Sequence, residues 1–367
     1  MSDVALHTLA TPEPVSPPTP VSITSYLDDC RRLVLEEISA LTPPARHGGR
    51  LYELMREYPL RGGKALRPAL CVATCRALGG YLDAVLHSAA AIELYHNAFL
   101  VHDDVEDGSE LRRAEPTLHR KYGVPIAVNV GDGMLALSMS ALLDNTARIG
   151  VGRTLRILDI VSRMARESAE GQMMELDWVA GGDWTLEDRH YLRMVYKKTT
   201  WYSFIAPVRV GAVAAGATDR LAAAFTTFAT LLGIAFQIQD DVLNLEGADA
   251  YGKEIAGDLW EGKHTLILIE AMRRASVAER AEAVRILARP RPSLTGPATV
   301  VVKSRDEVAF LRELVDRYDA LEYASGVAAR HASRAAAVFA RLAAPLPASA
   351  HVDFLAQLVD FVIRRTS

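Results

Sequence analysis

Two runs of acidic side chains carry the chemistry this sequence can do. The first is His102-Asp103-Asp104-Val105-Glu106-Asp107, closed by Gly108, with the spacing DDxxD. On a helix Asp103 and Asp107 lie one turn apart on one face, so their carboxylates can converge on a shared hard cation. The mostly apolar stretch 89–101 predicts a buried helix with the cluster at its wet end and Gly108 as its stop. Acidic groups at a helix C-terminus oppose the macrodipole, an unfavourable arrangement unless a cation sits there. The second run, Phe236-Gln237-Ile238-Gln239-Asp240-Asp241-Val242-Leu243-Asn244, again lies on an apolar helix and sets Asp240 and Asn244 one turn apart. Each cluster alone is modest evidence, but two on separate helices, facing each other across a cavity, imply a multi-cation site. Magnesium suits it, because that ion takes one or two carboxylates and completes its octahedron with water and phosphate oxygens.

Positive charge supplies the other half of the site. Basic residues occur in Gly62-Gly63-Lys64-Ala65-Leu66-Arg67-Pro68, at Arg112-Arg113, in Lys197-Lys198-Thr199, and at Lys253 and Lys263. Singly, each is ordinary solvated surface. Their position close after each acidic cluster points instead to a site where carboxylates hold metals and Lys and Arg hold the remaining phosphate oxygens. A lone histidine on an apolar helix is usually a satisfied core residue, but His96 stands on the stripe 96, 100, 103, 107, which favours a phosphate role. No Ser-His-Asp or Cys-His arrangement suggests a protein nucleophile.

The elements that must position these residues are helices. Residues 126–206 and 208–289 contain no proline and are dense in good helix formers, with apolar residues three and four apart, as in Leu221, Phe225, Phe228, Leu232, Ala235 and Phe236. No convincing run alternates with period two, so the chain reads as nearly all-α. Five prolines crowd the first 20 residues, and residues 1–22 are expected to be a disordered tail ahead of one catalytic domain over 23–367. Pro290, Pro292, Gly296 and Pro297 mark 289–302 as a surface loop.

Composition excludes several classes. The chain has 367 residues, half of them hydrophobic, and 41 basic against 45 acidic side chains give a net charge of -4. No basic field marks a nucleic-acid binder. The apolar runs at 229–238 and 266–269 are far shorter than the roughly 20 residues a membrane helix needs, and Met1 to Ala10 lacks a secretory pattern. Three sparse cysteines, Cys30, Cys71 and Cys75, fit reduced thiols in a cytoplasmic protein.

The ordered blocks GGKALRP (62–68), ELYHNAFLVHDDVEDGSELRR (93–113), EGQMMEL (170–176), KTTW (198–201), FQIQDDVLN (236–244) and GKEIAGDLWEGKHT (252–265) resemble the trans-isoprenyl diphosphate synthases, the polyprenyl synthetase family. The resemblance runs from about Tyr26 to the end. It implies an isoprenoid synthase fold, a helical bundle around a deep apolar cavity, working as a homodimer on isopentenyl diphosphate and an allylic diphosphate. By this resemblance Asp103 and Asp107, supported by Asp104, bind two magnesium ions, and Asp240 binds a third. Arg112, Lys198, Lys253 and Lys263 hold the allylic diphosphate; Lys64, Arg67, His96 and Arg113 hold isopentenyl diphosphate. Thr199 and Gln237 resemble residues beside the reacting carbons, and Asp241 accompanies them. Asn244 stands where many members have a third aspartate and is expected to act through water or behind the ligands. Ala65 replaces a common arginine and Ala114 a usual glycine.

Product length should be set below the first cluster. Phe99 and Tyr95 lie one and two turns before Asp103, roughly 6 and 12 Å down the axis, and are expected to floor the cavity, with small Ala98 leaving room beside Phe99. Ordinary core packing explains both aromatics nearly as well. The first cluster also lacks the two-residue insertion of bacterial farnesyl diphosphate synthases, so the region is most similar to a short-chain geranylgeranyl (C20) synthase. The alternatives are a farnesyl (C15) or longer product, a class I terpene cyclase, and a non-catalytic subunit of a heteromeric prenyltransferase. The residues matching an isopentenyl site argue against a cyclase, and the complete first cluster argues against a non-catalytic subunit.

Overall fold

A computed structural model describes residues 22–44, 49–246, 256–290 and 301–364. Lys253, the tail over 1–21 and most of the expected 289–302 loop therefore lie outside the described residues. The described elements are helical apart from one hairpin, in which Leu111–Arg112 pairs with Glu115–Pro116. The all-α expectation holds, and that hairpin is what presents Arg112 and Arg113.

In chain order the first half comprises α1 (Ile23–Leu41), α2 (Arg50–Leu60), α3 (Leu66–Ala77), α4 (Leu86–Glu106), the short α5 (Leu118–Tyr122), α6 (Val124–Asp144), the single turn α7 (Thr146–Ile149) and α8 (Val151–Gly181). Then α9 (Asp188–Val195) runs without a break through a π-helical segment (Tyr196–Ile205) into α10 (Ala206–Ala214). The second half comprises α11 (Asp219–Glu246), the short α12 (Gly257–Glu261), α13 (Leu266–Arg274), α14 (Val277–Leu287), α15 (Arg305–Arg317), α16 (Ala320–Ala343) and α17 (Ala350–Arg364).

Local chemistry fixes several boundaries. Ser276 and Ser304 each open a helix with a reciprocal capping box, to Glu279 and Glu307. The Thr265 hydroxyl accepts from the Leu268 N–H at 3.3 Å and so starts α13 directly after Lys263. Pro207 lies in the first turn after the π segment, where a proline ring would clash with the preceding turn of a continuous α-helix. The wider π turn accommodates it. A second feature permits the segment: Gly171 on α8 abuts the Lys198 backbone so closely that a Cβ there would stand 2.2 Å from the Lys198 nitrogen.

Two cores result. One gathers α1, α3, α4, α6 and α10 with the first part of α11 and α17; the other gathers α9, α13, α14 and α15 with the later part of α11. Helix α11 belongs to both, passing from the first to the second near Ile234 and Ala235, just before Asp240.

The expectation that no apolar stretch is long enough for a membrane needs correction. Among the described residues, 124–149 and 219–246 are each helical, long and apolar enough to cross one by length and composition. The short-run count missed them because Ala, Gly, Ser and Thr interrupt the large aliphatics without lowering mean hydropathy. The apolar window of α11 is 56% buried inside the fold and the helix carries Asp240 and Asp241, as a core helix does.

Candidate active site

The first acidic cluster ends α4 and the second lies near the end of α11, and Asp103, Asp240, Asp241 and Asn244 line one cavity of about 450 Å³. The facing arrangement expected from the sequence is therefore present. Asp103 Oδ1 stands 3.7 Å from Lys198 Nζ, and its Oδ2 stands 3.5 Å from Arg112 Nη2. Asp107 Oδ2 accepts from Lys263 Nζ at 2.8 Å. Lys263, which also pairs with Glu261 at 2.8 Å, thus reaches from the 256–263 turn beside α11 to the first cluster at the end of α4.

Asp104 faces away from this cavity. It is 1% exposed, accepts from Tyr58 Oη at 3.0 Å, and receives Arg112 Nε at 2.8 Å. It supports the site by holding Arg112 in place. Burial works against the charge of Arg112, but Asp104 and Asp103 outweigh it and hold the guanidinium firmly protonated. Lys198 is likewise held above the usual lysine range: burial opposes its charge, while Glu175, to which it is hydrogen-bonded, and Asp103 prevail. For Asp107, burial first, then Asp103 and Glu261 against the pull of Lys263, push the carboxyl up to about 6.

At the second cluster, Thr199 Oγ1 donates to Gln237 Oε1 at 2.7 Å, and Gln237 Nε2 donates to Asp241 Oδ1 at 2.7 Å. Asp241 also accepts from Tyr191 Oη at 2.6 Å. Burial, then the nearby Asp258 charge, raise the Asp241 carboxyl well above the usual range. Asn244 is occupied with backbone. Its side-chain oxygen accepts from the Asp258 N–H at 3.1 Å and its carbonyl from the Ala256 N–H at 2.9 Å, which anchors the 256–263 turn to α11. The amide at this position thus serves the turn that carries Lys263.

On the other flank, Arg67 Nη2 donates to Tyr202 Oη at 2.9 Å and Ser203 Oγ at 2.8 Å. His96 is 8% exposed and lines the cavity. Burial, then Arg67 and Arg113, hold its ring neutral, well below the usual histidine range. Buried nitrogens with no protein partner remain on this flank: Arg67 Nε and His96 Nδ1, on residues that line the cavity, and Nη1 of Arg113, which does not itself line it. Three buried polar groups left open on two arginines and one neutral histidine suit an anion with several acceptor oxygens. Gly63 supports this flank, since a Cβ on it would meet Arg113 Nη2 at 2.6 Å. Lys64, by contrast, is exposed, with Nζ 5.3 Å from the centre of the Phe361 ring, and does not line the cavity.

Below Asp103 the wall is apolar. Phe99 lines the cavity, and its ring meets Tyr95 edge-on at 5.1 Å and Tyr202 edge-on at 5.5 Å. Tyr95 sits behind Phe99, and Ala98 is fully buried beside it.

Several site residues carry no role in the sequence reading, although Gln172, Glu175 and Asp258 fall within its blocks 170–176 and 252–265. Glu175, Gln172, Tyr191, Tyr202 and Asp258 all line the cavity. Gln172 and Glu175 had a signal, because they stand three apart on α8 and share a face. Tyr191 and Tyr202 had none, since aromatic residues on helices normally read as core.

Carboxylates opposed across a cavity, with lysines and arginines beside them, are an arrangement that can receive phosphate oxygens and divalent cations. Among the described residues no three Asp, Glu, His or Cys side chains converge tightly enough to hold a metal alone.

The polyprenyl synthetase family model matches residues 49–296. The chain belongs to that family. This synthetase is 36% identical over 241 residues to a geranylgeranyl diphosphate synthase of Methanosarcina mazei, covering 65% of its own length and 72% of that relative. It is 32% identical over 343 residues to a short chain isoprenyl diphosphate synthase of Methanothermobacter thermautotrophicus, with 93% and 96% covered. Its structure superposes with a TM-score of 0.81 and 29% identity on a polyprenyl synthase from Caulobacter crescentus complexed with calcium and isoprenyl diphosphate, covering 96% of this chain and 100% of the other. The protein is a trans-prenyltransferase of the isoprenoid synthase fold, joining isopentenyl diphosphate to an allylic diphosphate with release of diphosphate.

Proposed function

We propose that this synthetase makes geranylgeranyl diphosphate. The observation that carries the reading is the cavity itself, with two acidic clusters and their lysines at one end and the Phe99 ring, braced by Tyr95 and Tyr202, in its apolar wall. Asp103, Asp107 and Asp240 would hold magnesium, whose chemistry is to neutralise the allylic diphosphate as it departs. Arg112, Lys198 and Lys263 hold the same diphosphate, and Lys253 is assigned there by sequence alone. Arg67, Arg113 and neutral His96 bind the isopentenyl diphosphate with the nitrogens left open in the fold, whereas Lys64, which does not line the cavity, is assigned there by sequence alone.

These residues stabilise separation of charge. As the allylic C–O bond ionises, the carbocation lies beside the Thr199–Gln237 pair, where oxygen dipoles are fixed in place. The isopentenyl double bond attacks it and a proton is lost. The apolar wall of Phe99, Leu100 and Phe236 keeps water from quenching the cation. Each addition pushes the chain towards Phe99, which stops it at C20.

The assembly is proposed to be a homodimer. Val124, Val128, Met139 and Leu143 are exposed on α6 within an arc of about 100°, an apolar stripe that a second copy would cover. Three free, buried cysteines support a reducing, cytoplasmic setting. Residues 23–367 are read as one catalytic domain preceded by the Pro-rich tail.

The test is incubation of the purified chain with magnesium, isopentenyl diphosphate and each of the C5, C10 and C15 allylic primers. C20 product from all three is expected; a terminal C15 product, or one beyond C20, would contradict the assigned length. No condensation with any primer would contradict the assignment of the site.

A further inference from the structure

Lys303 is a large, charged side chain buried to 2% exposure, and the reaction as assigned makes no use of it. An ammonium is buried only where it is well partnered, so the partners of Lys303 show what it holds. Its Nζ donates to the Trp260 carbonyl at 2.7 Å. Trp260 lies in the last turn of α12, whose carbonyls have no helical partner of their own and whose dipole favours a cation there.

The residues around Lys303 are fixed from both sides. Its own N–H donates to the Pro290 carbonyl at 3.0 Å, and the next residue, Ser304, is the cap of α15 in a reciprocal box with Glu307. The ammonium therefore projects from a rigid base. What it holds is the 256–263 turn, which Asn244 anchors at its other end and which places Lys263 against Asp107.

We propose that Lys303 is a positioning residue that clamps the α12 turn from beneath, so that Lys263 is held at the end of α4 and the allylic diphosphate meets a preformed cation. The inference rests on the assignment of Lys263 to that diphosphate. The start of the turn is tied to Asn244 and its far end runs into the Thr265 cap of α13, with Leu259 buried between them; the Lys303 bond to Trp260 fixes the middle, and without it the stretch that carries Lys263 would have more play against Asp107.

The test is steady-state kinetics of the full chain carrying Lys303→Met, which removes the charge at nearly constant volume, with Lys303→Gln as a variant that keeps an N–H donor. The KM for the allylic diphosphate and the magnesium concentration for half-maximal rate should each rise about tenfold in Lys303→Met and less in Lys303→Gln. The KM for isopentenyl diphosphate should stay within twofold in both. A lower melting temperature with an unchanged allylic KM in Lys303→Met would mean a purely structural role and would overturn the proposal. Lys263→Ala run in parallel separates the two assignments: an unchanged allylic KM there refutes the site, whereas a raised one with normal Lys303→Met kinetics refutes only the clamp.

Discussion

Ala114 shows how a departure from the family pattern acquires a physical cost. The sequence places alanine where glycine is usual, and the structure puts that residue at φ +62°, directly after Arg113 at φ +55°. A left-handed non-glycine residue carries strain of about 1–2 kcal/mol, partly offset by the extra chain entropy glycine loses on folding. Ala114→Gly should therefore stabilise the fold by about 0.5 kcal/mol, visible as a melting temperature raised by roughly 1 °C. A lowered melting temperature would show that the hairpin is not strained. Residue identity made most of the site legible. Asp103, Asp240, Lys198, Lys263, Arg67 and His96 were named from type and spacing, and the fold brings them to one cavity. Asp104 was named too, but sequence has no means to show that it turns towards Tyr58 and Arg112, because two adjacent aspartates on a helix point in different directions. Asn244 accepts from the Asp258 N–H, a contact that spacing along the sequence does not show.

At the scale of elements, α4 carries both the first acidic cluster and the aromatic pair one and two turns before it. Phe99 faces the cavity and Tyr95 braces it, so truncation of either ring should open the wall beneath the growing chain. Phe99→Ala is expected to give products longer than C20, and Tyr95→Ala a smaller shift in the same direction, as read by chromatography of the dephosphorylated alcohols. Unchanged product length in both variants would refute the floor. Helix content was legible because proline-free, leucine- and alanine-rich stretches leave few alternatives. The π segment was not, since a π turn uses the same residue types and depends on tertiary circumstances: Pro207 behind it and the backbone of α8 pressed against Lys198 at Gly171. The clamp under α12 was equally hidden, because Lys303 is separated from Trp260 by 43 residues.

At the scale of the molecule, two hydrophobic cores share α11, and the active-site cavity lies where they meet. This explains how acidic residues 137 positions apart in sequence, Asp103 and Asp240, come to line one space. It also explains the length and apolarity of α11, which runs from one core into the other. The most direct measurement is magnesium-dependent turnover of Asp103→Ala and Asp240→Ala, each with its circular dichroism spectrum. Both variants should keep the helical spectrum of the parent and lose about a thousandfold or more in turnover, because each removes charge stabilisation at the departing diphosphate. Turnover within tenfold of the parent in either folded variant would contradict the joint metal site on which the account is built.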